Sequence, residues 1–99
     1  MDPEIGSRIR ELCDQNTVTR RRAVASLRHF GSTARRAVPA LIDAMRDDDE
    51  QVRIGAAVAL VSIDEGVAHI AMPRLMEGSG SRDVGLRTAA KAALRRLRA

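Results

Sequence analysis

Ninety-nine residues with a formal net charge of +4 and 44% apolar residues make one domain, long enough to bury somewhat over ~60% of its unfolded surface. There is no Trp, no Tyr and one Phe, so Ala, Val, Leu, Ile and Met must build the core, a make-up that favours close-packed helices over sheet. No stretch approaches the ~18 apolar residues of a membrane span, no apolar run follows a basic start as in a signal peptide, and the lone Cys13 excludes an internal disulfide. These exclusions point to a reduced, cytoplasmic chain with no membrane partner. The positive charge comes from sixteen Arg and the single Lys91. Such an excess suits bidentate recognition of carboxylate or phosphate, and it equally suits the codon usage of a GC-rich genome.

Along the chain, Asp2-Pro3-Glu4 opens a first helix, with Asp as N-cap and Pro at the first helical position. Ile5, Ile9 and Leu12 then share one face at i, i+4 and i+7. Asn16-Thr17 turns the chain into a second helix over residues 19–30, which stops at Gly31-Ser32-Thr33. Val38-Pro39-Ala40-Leu41-Ile42 begins a third, and Asp47-Asp48-Asp49 separates it from a fourth with Val52, Ala56, Ala59, Leu60 and Ile63 on one face. Asp64-Glu65-Gly66 leads to a fifth around Met72-Pro73-Arg74-Leu75-Met76. Gly78-Ser79-Gly80-Ser81 leads to a sixth over residues 86–97, closed by Arg95, Arg96 and Arg98, where the helix dipole favours cations. Pro39 and Pro73 follow helical-looking residues, which calls for a kink or a short preceding turn.

The six helices are three copies of one unit. Residues 19–30, 52–63 and 86–97 all carry Arg at the second position (Arg20, Arg53, Arg87), Ala at the fifth, Leu at the ninth and a large apolar residue at the twelfth. Val38 to Met45 matches the segment from Met72 thirty-four positions on, and Ile5, Ile9 and Leu12 stand in the same places near the start, with Gly6 where the others have proline. The spacing predicts an all-α domain over 1–99, an α-solenoid of three helical hairpins at about 3–31, 32–65 and 66–98.

These segments resemble the HEAT-repeat family in its short bacterial form, described as PBS-lyase HEAT-like. The likeness rests on Val38-Pro39-Ala40-Leu41-Ile42, on Met72-Pro73-Arg74-Leu75-Met76, and on Asp47-Asp48-Asp49-Glu50-Gln51-Val52-Arg53 leading into Ala56 to Leu60. It implies a ladder in which a turn carboxylate and the second-helix arginine join neighbouring repeats, here Arg20, Arg53 and Arg87 with Asp47, Asp49 and Asp83. Asp14 or Asn16 stands in the first turn, and Ser81 departs from the pattern. The resemblance also implies that the second helices line the concave face, and that the chain serves as a scaffold with no catalytic role. Chaperoning of pigment attachment is a further implication that no particular residue supports.

No chemistry-bearing constellation appears. His29 and His69 are forty positions apart, no Cys-x-x-Cys or His-x-x-x-His spacing occurs, and the acidic run from Asp47 lacks a calcium loop's ligand alternation. No metal, no cofactor and no catalytic residue is expected. On the second helices, Ile54, Val58 and Val61 form a second apolar stripe whose counterparts are Arg21, Ala25 and Arg28, then Thr88, Ala92 and Arg95. If exposed, this stripe is the floor of a groove with Arg21, Arg22, Arg28, Arg95 and Arg96 as its basic rim. Such a groove fits a protein or peptide bearing acidic and apolar residues; if the helices pack tightly, the stripe is core. Two other functions compete: duplex nucleic-acid binding by the arginine-rich second helices, and self-association into a homo-oligomer through Ala89, Ala92 and Ala93.

Overall fold

The computed structural model describes residues 3–98, and among them there are helices and turns but no strand. Six α-helices run Pro3–Glu11 (α1), Thr17–Phe30 (α2), Val38–Ala44 (α3), Glu50–Ile63 (α4), Ala68–Gly78 (α5) and Val84–Arg98 (α6). Short 3-10 segments, Gly31–Ala37 and Glu65–Val67, precede α3 and α5. The cap expected from Asp2 lies outside the described residues.

Each second helix starts on a side-chain cap. Asn16 accepts from the Val18 N–H at 2.9 Å, Asp49 from Val52 at 3.0 Å and Asp83 from Leu86 at 3.0 Å. Gly31 ends α2 with a φ of 58°, and its N–H bonds the Arg28 carbonyl. The two prolines are accommodated differently. Pro39 lies in the first turn of α3, where a missing N–H costs nothing, and the preceding 3-10 segment carries the kink at Ala34. Pro73 stays inside α5.

Consecutive helices pack as hairpins, α1 on α2, α3 on α4 and α5 on α6, and the second helices lie side by side in the order α2, α4, α6. The core runs through all three hairpins, from Ile5 and Leu12 through Leu27, Leu41 and Leu60 to Leu75 and Leu94. α4 is its axis, touching α2, α3, α5 and α6. Nine of its fourteen residues are buried, so it is apolar all round rather than on one stripe.

That burial corrects one expectation. Ile54, Val58 and Val61 are 0%, 3% and 2% exposed, and they do not floor an open groove. Two glycines explain how closely the neighbours approach. A Cβ on Gly55 would stand 2.8 Å from Val24 Cγ1 on α2, and one on Gly78 would stand 2.6 Å from Ile54 Cγ2 and 2.8 Å from Ala90 Cβ. The position that holds Ile54 therefore faces the next hairpin.

Candidate functional site

The second-helix arginines clamp the turn that precedes their own helix. Nη1 of Arg20 donates to the carbonyls of Asp14 and Gln15 at 2.8 and 3.2 Å. Nη1 of Arg53 does the same to Asp47 and Asp48 at 2.9 and 3.1 Å, and Nη1 of Arg87 to Ser81 at 2.9 Å. The opposite edge of the guanidinium reaches forward. Arg20 grips Asp47 through Nε and Nη2 at 2.9 and 3.3 Å, and Arg53 grips Glu77 through Nε at 3.1 Å and Nη2 at 2.6 Å. Such fork-to-carboxylate pairs fix direction as well as charge.

Asp49 and Asp83 hold other posts. Asp49 caps α4 and takes a two-pronged bond from Arg21, Nε at 2.9 Å and Nη2 at 2.6 Å. The Arg21 bond, followed by the Val52 N–H, holds the Asp49 carboxyl below its ordinary pKa, and the same bond raises that of Arg21. Asp83 caps α6 and accepts from Gln51 Nε2 at 3.2 Å; the Leu86 N–H is the main reason its pKa is lowered. Arg53 likewise lowers Glu77.

The sequence pattern marks Ser81 only as a departure and does not point to Glu77 or Gln51 as partners. Ser81, 6% exposed, occupies the place of Asp47: its Oγ accepts from the Asp83 N–H at 3.1 Å and donates to Glu50 at 2.8 Å. With a hydroxyl there, the carboxylate for Arg53 comes from Glu77, one turn back on α5. The legible signal was the pairing of a Ser in the acidic place with a Glu four positions earlier.

The expected rim and floor are dispersed by the fold. Arg21 lies at the first junction, bound to Asp49, and Ile54 lies at the second, against Gly78. Arg22 is exposed on the α2 stripe with Ser26 and His29, which borders a recess lined by Glu4, Ala25, Ser26, His29 and Phe30. Arg95 faces a different recess with Ser79, Lys91, Leu94 and Arg98. Four of the expected residues do come together. Arg28, Val58, Val61 and Arg96, with Ser62, Ala89, Ala92 and Ala93, surround a notch of about 110 Å³ where α2, α4 and α6 meet. Arg28 makes no ion pair among the described residues, whereas Arg96 is held by Glu65 at 2.6 Å with both side chains about half exposed. Cys13 is exposed, and the described residues contain no group of three His, Cys, Asp or Glu side chains able to hold a metal ion. No described helix is long and apolar enough to cross a membrane.

Three helical hairpins, side by side and joined by arginine–carboxylate pairs, define an α-solenoid. A family model for HEAT repeats matches residues 4–95, and the chain belongs to that family. HEAT repeats are commonly protein-interaction scaffolds. No curated protein matches the chain.

Proposed function

We propose that the protein is a non-enzymatic binding scaffold, and that the notch between α2, α4 and α6 receives one aliphatic side chain of a protein partner flanked by carboxylates. The observation that carries this reading is the notch itself: a hollow lined by three alanines with Val58 and Val61, and by Arg96 and Arg28, the latter in no ion pair among the described residues. The walls suit an apolar anchor, and the two guanidinium groups suit acids on either side of it. The Arg96–Glu65 pair is exposed on both sides, so a partner carboxylate displaces it at little cost.

Duplex nucleic acid is the second reading. The observation that favours it is that Arg22, Arg28, Lys91, Arg95 and Arg98 make no ion pair among the described residues. Arg28 lines one recess, Lys91, Arg95 and Arg98 line another and Arg22 lines neither, so they form no single stripe, which weighs toward the protein partner.

Fluorescence anisotropy separates the two with defined probes: a helical peptide carrying Leu between glutamates, the same peptide with Ala for Leu, and a generic DNA duplex, each titrated across salt. The scaffold reading expects the Leu peptide to bind, the Ala peptide to bind more weakly, and Arg28→Glu to weaken the Leu peptide about ten-fold or more. Tight duplex binding with a log–log salt slope of several units overturns it.

A further inference from the structure

Among the described residues the first and last rungs of the ladder are each half made, and the two halves match. Inside the molecule both junctions use one fork, although the carboxylate comes from the turn in the first and from α5 in the second. A guanidinium clamped by its own turn presents its Nε and Nη2 edge to a carboxylate of the following hairpin, as Arg20 does to Asp47 and Arg53 to Glu77. Arg87 is clamped by the same Nη1 bond, to the Ser81 carbonyl, but its other edge has no carboxylate partner among the described residues. At the opposite end stands Asp14, thirty-three positions before Asp47 and exposed. Its Oδ1 accepts from the Asn16 N–H at 2.8 Å, just as Asp47 Oδ1 accepts from the Asp49 N–H at 2.9 Å. One end thus carries an oriented fork, and the other carries an oriented carboxylate.

The geometry points to a head-to-tail contact between two copies of this chain, in which Arg87 of one copy grips Asp14 of the next as Arg20 grips Asp47. This interface is distinct from the notch, and it joins unlike surfaces. It is therefore heterologous, and nothing in it limits growth to a dimer. The junction is also expected to be weak. Where α4 meets α6, Val61 and Ala89 line one notch. The same repeat places at the new junction hold Arg95, thirty-four positions after Val61, and Arg22, sixty-seven before Ala89. Two cations oppose each other where the internal junction packs apolar groups.

Sedimentation velocity on the full chain over a wide concentration range tests this. The wild type should show reversible growth past the dimer as concentration rises. Asp14→Asn keeps the acceptor oxygen for Asn16 but loses the charge, and should weaken association about ten-fold. Arg22→Ala should strengthen it. Arg87→Glu and Asp14→Arg should each be monomeric alone and associate when mixed, because both mixed contacts then pair opposite charges. Circular dichroism confirms that each variant is folded, and Asp14→Asn decides the matter if Arg87→Glu is not. A monomer at every concentration overturns the proposal, as does a dimer that does not grow or an association that Asp14→Asn leaves unchanged.

Discussion

Gly78 lies so close to Ile54 that a methyl group on it would fall 2.6 Å from Ile54 Cγ2, and 2.8 Å from Ala90 Cβ. The end of α5 therefore fits between α4 and α6 only without a side chain. Gly78→Ala gains up to ~1 kcal/mol of helix propensity, yet overpacking a buried site costs about 1–3 kcal/mol. The expected result is a net loss of about 1–2 kcal/mol in urea unfolding. Gly55→Ala meets Val24 alone at 2.8 Å and should lose less.

Val58 and Ala92 belong to one notch but differ in burial: Val58 is 3% exposed, and Ala92 is exposed on α6. Val58→Glu forces a longer, charged side chain into a packed position and should cost about 3 kcal/mol or more, enough to unfold a marginal domain of this size. Ala92→Glu should leave the circular dichroism spectrum and melting temperature unchanged, while its carboxylate repels an acidic partner and abolishes peptide binding. A folded Val58→Glu would mean that α4 is not closed in by its neighbours.

The arginine clamps differ in what they hold. Arg20 binds the Asp47 carboxylate and two carbonyls, whereas Arg87 binds one carbonyl among the described residues. Removing Arg20 leaves the largely buried Asp47 carboxylate with the Asp49 N–H alone and takes the clamp from the Asp14–Gln15 turn, so Arg20→Ala should cost about 2–3 kcal/mol and Arg87→Ala less than about 1 kcal/mol. Urea midpoints at neutral pH measure the difference. Equal losses would show that the clamp on the turn, and not the grip on the next hairpin, supplies the stability.

Asp49, Glu77 and Asp83 all have pKa values lowered in the folded protein, the first two chiefly by Arg21 and Arg53 and the third by the Leu86 N–H. A carboxyl with a depressed folded pKa contributes stability that is fully present above its unfolded value, near ~4, and is lost as pH falls through the folded value. Unfolding free energy should be level from pH 7 to about pH 5 and fall steadily below about pH 4. A double variant, Asp49→Asn with Glu77→Gln, should show a shallower fall over the same range.

The sequence by itself determined the helices, their pairing and the repeat, because each depends on local chemistry. Apolar spacing within a helix, a capping Asn or Asp and a turn glycine act over a few residues and recur every thirty-three or thirty-four positions. It also singled out Arg20, Arg53 and Arg87, since a charged residue kept in one place of an apolar pattern stands out. Only the tertiary structure decided what the second helices present to the outside. Ile54 and Arg21 occupy the same repeat position, and both point to the next hairpin, one against Gly78 and the other onto Asp49. A helical wheel carries no information about which neighbour covers a face. That depends on how closely helices approach, here on Gly55 and Gly78, and on contacts such as Arg53 with Glu77, twenty-four residues apart. For that reason the stripe that looked like a groove became core, and the notch beside Arg28 was assembled from three helices that are distant in sequence.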